Sequence, residues 1–281
     1  IPFESGGNRF NAGSLIIARN GNSSLDGGFE KVVTGLASKS GIALQPISSA
    51  FVDKGADLGS DKVRYIRKPK VVVVSGEAAS SLAFGEIWHF FEQQINYPVS
   101  VVRSQDLSRI DWDGIDVLIL PNGNYTDLGN DKILQWIRSG GKLIAMDAAV
   151  SQLVGVKGFD IKNKEEAKKD DKDTDPYKVL KSYENREREN VQANIPGAIY
   201  RVDLDNTHPL AFGFPDFYYT LKLDDKVYQY MSDGWNVGVI KKDNYVTGFV
   251  GSQVRKKLTD GLIFGVQEIG NGSVVYLADD P

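Results

Sequence analysis

Cysteine is absent from the 281-residue chain, and histidine occurs only twice, as His89 and His208. Without a thiol there is no disulfide, thiolate metal site or cysteine nucleophile, although this absence does not choose between a reducing and an oxidising compartment. Long apolar runs are also lacking. The strongest, "VVVV" at 71–74 and "VLILP" at 117–121, are strand-sized, far short of the roughly 18 residues of a membrane span. There is no excess of positive charge: a net charge of −4 and a pI near 5.4 remove the electrostatic reason to expect nucleic acid or an anionic membrane surface as partner. The opening "IPFESGGNRF" has no initiator Met, basic n-region or apolar h-region, so the chain is expected to start inside a gene product or after processing.

What is present is a globular composition, 41% hydrophobic and 25% charged, enough for one large or two modest domains with a sizeable core. "SLIIAR" at 14–19 reads as a short strand, and a helical pattern runs from Phe29 to about Ser38 and stops at Ser40-Gly41. A polar, Gly-containing stretch then leads to Pro69. This places a boundary near Lys68, with a small N-terminal α/β segment and linker over 1–68 and a second domain over 69–281. From Lys70 strands alternate with helices, the pattern of a largely parallel sheet with flanking helices. "KVVVVSG", "VSVVR", "IDVLILPNGN" and "KLIAMD" read as its strands, with helices over Ser81 to Ile95 and "DKILQWIRSGG" between them. In the first helix Trp88, Phe90 and Phe91 are expected to cover the sheet. Residues 162–190 are charged with mixed signs and read as a solvated insertion; a strand-rich part with Gly-rich turns follows.

The segment "GIDVLILPNGNY", followed by "ILQWIRSGGKLIAMDAAVSQL", resembles the flavodoxin-like, class I glutamine amidotransferase-like fold. That fold carries its nucleophile on a sharp strand-to-helix turn after a Gly-Gly-x-apolar strand. Active members have Cys where Asp147 stands here. Carboxylate attack on an amide would give an anhydride with poor driving force, so the resemblance does not imply glutamine hydrolysis. The set "AGSLII", "ADLGSDKV", "FGEIWHFFEQ", "IPGAIYRVDLDNTHPLAFG", "GWNVG" and "GSVVYLADDP" further resembles the C-terminal region of large bacterial zinc carboxypeptidase-related proteins. This second resemblance implies an upstream peptidase domain of the same chain as partner, no cofactor in this segment, a periplasmic or extracellular location, and a further strand and helix after Pro281.

Zinc carboxypeptidases hold their metal with His-x-x-Glu and a distant His, and "GEIWHFFE" offers His89 and Glu92 at that spacing. Inside a helix between two strands they read instead as neighbours on its polar side. His208, in "DNTHPLAFGF", reads as turn chemistry. Ligands of open α/β sheets settle at the carboxyl ends of the strands, so three loops are expected to converge. The candidate ligand-binding residues there are Gly76, Glu77, Asn122, Gly123, Tyr125 and Asp147, which suit a small polar ligand such as a sugar or a peptide end. The competing reading is that the glycines only permit tight turns and that Asp147 caps the following helix. Trp235, between glycines, reads as a stacking platform or as packing. Three functions remain open: a non-catalytic accessory or binding domain, a stand-alone hydrolase using Asp147, and a sugar- or peptide-binding protein.

Overall fold

The computed structural model describes residues 1–25, 28–126, 128, 131–164, 177, 180 and 182–279. They form two units, Ile1–Arg67 and Lys68–Pro281.

In the first unit, β1 (Phe3–Ser5) and β2 (Asn8–Phe10) make an antiparallel hairpin. Its turn is Gly6-Gly7, both at positive φ, as a two-residue hairpin requires. Helix α1 (Phe29–Ser40) ends where Gly41 adopts a left-handed conformation and its N–H reaches the carbonyls of Ala37 and Ser38. The expected strand at 14–19 does not form; Leu15, Ile16 and Ile17 are exposed in irregular chain. An apolar hexapeptide becomes a strand only where a neighbour completes its ladder, and this segment has none among the described residues. Phe3 and Ala37 are the only buried hydrophobic residues described in this unit.

The second unit is built on one sheet of ten strands. It begins β3 (Val71–Ser75), α2 (Ser81–His89), β4 (Ser100–Arg103), β5 (Val117–Leu120), α3 (Asp131–Arg138), β6 (Lys142–Met146) and α4 (Ala148–Ser151). After the charged stretch come α5 (Arg186–Gln192), β7 (Gly197–Leu204), β8 (Phe217–Lys222), β9 (Trp235–Ile240), β10 (Tyr245–Phe249), α6 (Ser252–Leu258), β11 (Gly261–Ile269) and β12 (Gly272–Leu277). Within the 162–190 insertion, residues 165–176, 178, 179 and 181 lie outside the described residues.

Strands β4-β3-β5-β6-β12 are parallel and stand in the order of a flavodoxin-like doubly wound sheet. The mostly parallel character expected from the sequence belongs to this half. The strand-rich C-terminal part is not a separate layer: β11, β9, β7, β10 and β8 extend the same sheet by antiparallel pairing.

Four consecutive valines make a strand here because both faces of β3 are covered. Val72 and Val74 pack into one core with Leu118, Leu120, Ile133 and Ile137, while Val71 and Val73 pack into another with Ile87 and Ile119. Helix α2 runs on into a π-helical turn, Phe90–Gln94. It covers its face of the sheet with Ala83, Ile87, Phe84 and Phe91, whereas Trp88 and Phe90, expected to cover it, are exposed. Ala83, Ile87 and Phe91 stand four residues apart on one helical face, and Trp88 and Phe90 fall beside that face rather than on it.

Helix α3 buries Ile133, Leu134, Trp136 and Ile137. The Trp136 indole donates to the Ile115 carbonyl at 2.8 Å and lies so close to Gly141 that a Cβ there would sit 2.2 Å from the ring. Gly141→Ala is therefore expected to destabilise the protein by about 1–3 kcal/mol through overpacking, measured by urea unfolding followed by tryptophan fluorescence. An unchanged midpoint would show that the ring can move aside.

Candidate functional site

The loop after β3 and the loop after β5 meet at the point where the strand order reverses. Ser80 N–H donates to the Asn122 carbonyl and Asn124 N–H to the Ala78 carbonyl, both at 2.8 Å, and Ala79 bridges Gly123. Gly123 is needed for this close approach, since a Cβ would lie 2.2 Å from the Ala78 carbonyl. Gly76 is at φ 95°, a conformation that favours glycine. Tyr125 is 4% exposed and donates its hydroxyl to the Pro121 carbonyl at 2.9 Å; burial pushes its pKa up. Asn122 is half-buried beneath this bridge, and Glu77 is exposed beside it.

Asp147 is organised differently. It follows β6 directly, with φ 44° and ψ −113°, a backbone conformation that costs a non-glycine residue on the order of 1–3 kcal/mol. This is a sharp strand-to-helix elbow, as the resemblance of this segment implies. Its N–H donates to the Leu277 carbonyl of β12 at 2.7 Å, on the opposite side of β6 from β5. Its carboxylate does not cap α4; it accepts from the Lys226 ammonium at 2.9 Å. A charged partner within reach outcompetes weakly polarised amide N–H groups, which is why the capping expectation fails.

The pair belongs to a chain of alternating charge. Lys226 also meets Asp224 at 3.3 Å, Asp224 meets Lys222 at 3.1 Å, and Lys222 lies 3.8 Å from Asp279, which accepts the Tyr218 hydroxyl at 3.0 Å. Lys222 is only 3% exposed. Burial opposes the charge of Lys226, but the Asp147 hydrogen bond and charge, followed by Asp224, hold its pKa above the ordinary lysine value. Burial likewise works against ionisation of Asp224, but Lys222 and the Lys226 amide carry its pKa below 3.8. In Asp279 burial wins over Lys222 and Tyr218, and the pKa is raised.

Sequence reasoning missed Lys222, Asp224, Lys226 and Asp279. A signal was available, because Lys222, Asp224 and Lys226 recur with period two in "LKLDDK" at 221–226.

The two histidines lie outside this cluster. His208 accepts the Leu210 N–H at its Nδ1, capping a short turn, and its ring centroid is 6.2 Å from that of Trp235. Burial lowers its pKa, with Asp205 and Glu268 acting the other way. Trp235 itself is 54% exposed on β9. His89 and Glu92 are exposed on α2 and the turn that follows it. Among the described residues no group of three or more His, Asp or Glu side chains is arranged to hold a metal, and no helix is long and apolar enough to cross a membrane.

No family model and no curated protein matches the chain. Among solved structures, a glutamine amidotransferase from Thermotoga maritima is similar over 76% of each chain, with TM-score 0.43 and 10% identity. A glutamine amido transferase from Methylobacillus flagellatus is similar over 65% of this chain and 68% of its own, with TM-score 0.32 and 16% identity. A β-galactosidase from Bacillus circulans sp. alkalophilus is similar over 80% of this chain, with TM-score 0.42 and 12% identity; this chain spans 30% of its length. The second unit is an α/β fold whose five parallel strands stand in doubly wound order, with a sharp strand-to-helix turn after β6.

Lys222→Met is expected to cost about 3 kcal/mol by stranding Asp279, and adding Asp279→Asn should restore part of that loss. Purely additive losses in urea unfolding would mean that the two side chains are not coupled. The depressed pKa of Asp224 gives a pH signature. Its contribution is present above the unfolded carboxylate value of 3.8 and is lost as pH falls through the lower folded value. The stability deficit of Asp224→Asn should hold steady above that value and close below it, and a deficit that widens in acid would refute the assignment.

Proposed function

We propose that this chain is a non-catalytic, amidotransferase-like accessory or binding domain of a larger zinc carboxypeptidase-related protein that works in the periplasm or outside the cell. The observation that carries the non-catalytic reading is the Asp147–Lys226 pair at the elbow. The position that holds a thiolate in active amidotransferases holds a carboxylate, and that carboxylate is neutralised by an ammonium 2.9 Å away. Pairing of this kind lowers nucleophilicity, and attack on an amide would still have to pass through an anhydride. His208, engaged by the Leu210 N–H, is not placed in this cluster as a base. The zinc and its ligands belong, on this reading, to the upstream peptidase domain, and this segment needs no cofactor.

The second reading, a hydrolase using Asp147, draws on the strained elbow itself, since that geometry lifts a side chain towards substrate. Two measurements test the pair of readings. Glutamine, simple esters and peptides should be left intact by the purified chain; turnover lost in Asp147→Asn with folding unchanged would establish the hydrolase instead. The native protein, captured from its source cells, should have an intact mass well above 30.9 kDa. A species near that mass would remove the peptidase link.

A further inference from the structure

Next to the elbow pair is a cleft of about 300 Å³, at the small end of ligand-sized pockets. Its walls include Lys164, Lys226, Lys257, Asn163, Tyr228 and Asp225. Hydrogen-bond donors dominate this lining. Asp225 is the one carboxylate in it among the described residues, and Lys257 takes it at 2.5 Å. Lys226 is held by Asp147 and Asp224. Lys164 donates to a neutral group, the Lys257 carbonyl, at 3.1 Å. Burial depresses its pKa more than the charge of Asp260 restores it.

The second, independent observation is Tyr228. It is 3% exposed, and its hydroxyl has no hydrogen-bond partner among the described residues. Backbone bridges to Asn163 and Leu262 hold the main chain of Tyr228 in place at the cleft. A buried hydroxyl left unpaired is unfavourable, and an acceptor oxygen from a ligand would relieve it.

We propose that this cleft binds the oxyanion end of a small solute, a carboxylate or phosphate group, through the ammonium groups of Lys164 and Lys257 and the hydroxyl of Tyr228. The proposal rests on reading the elbow as part of a binding surface, and it narrows the ligand from any small polar solute to an acidic one, such as a peptide end with a free carboxylate. Lysines suit this task because their point charges accept either oxyanion without the fixed fork that arginine imposes. Asp225 is already paired with Lys257, whereas the one hydrogen bond of the Lys164 ammonium among the described residues goes to an uncharged carbonyl.

The test is thermal unfolding of the full chain, with amide chemical shifts as a second readout, in inorganic phosphate, malonate or glucose at constant ionic strength set by sodium chloride. Phosphate or malonate should raise the melting temperature where chloride and glucose do not, since only a solute preferring the folded state can do so. Malonate alone acting would identify a carboxylate ligand, phosphate alone a phosphate-bearing one. Tyr228→Phe should leave the ligand-free melting temperature unchanged or higher and weaken binding about tenfold, the loss of one hydrogen bond to a charged group. Lys164→Gln should weaken it comparably. No shift with either anion, or a shift that both variants leave untouched, would overturn the site while leaving the non-catalytic reading in place. Conversely, turnover of an ester of the bound acid that Asp147→Asn abolishes, with binding intact, would overturn that reading and leave the site standing.

Discussion

The parallel pairing of β12 with β6 is the constraint on which the rest of the second unit depends. Two parallel neighbours cannot be joined by a tight turn, so the chain must leave the end of β6 and return to the start of β12. Here the excursion carries β7 to β11, which extend the sheet antiparallel before the β11–β12 hairpin brings the chain back. One pairing therefore fixes both the doubly wound half and the position of the antiparallel half.

The same pairing sets the electrostatics. Because β6 and β12 run side by side in one direction, their carboxyl ends emerge together, and with them Asp147 and Asp279. Two carboxylates delivered to one partly buried edge need compensating charge, and Lys222 and Lys226, at and beyond the end of β8, supply it. Lys222 tolerates near-complete burial because carboxylates stand on two sides of it. The elbow is thus tied to its surroundings twice, by the Leu277 hydrogen bond to its backbone and by the Lys226 pair to its side chain. That double attachment is what sustains an unfavourable backbone conformation at Asp147.

The glycines of the switch-point loops show how differently two similar residues are used. Gly76 is required by its positive φ, whereas Gly123 is required by the carbonyl of Ala78 lying against it. Both shape the chain where the two loops lie, and Tyr125 is folded inward beside them. Of the six candidate residues read from the sequence, Asp147 lies in the charged cluster beside a cleft; the other five stand at or beside the closed bridge between two loops.

What the sequence by itself determined is what depends on near neighbours. Continuous apolar runs announced strands covered on both faces, and "DKILQWIRSGG" announced a helix with glycines at its end; the turn at Asp147 was implied by the family resemblance of the segment that carries it. Tertiary structure decided whatever needed a distant partner. "SLIIAR" had the composition of a strand and found no neighbour, and the C-terminal strands were legible one by one but not their place in the sheet. The Asp147–Lys226 pair joins residues 79 positions apart, and the cleft draws on segments near residues 163, 226 and 257. Periodicity reports which face of an element is buried, and it carries no information about which distant charge will meet it there.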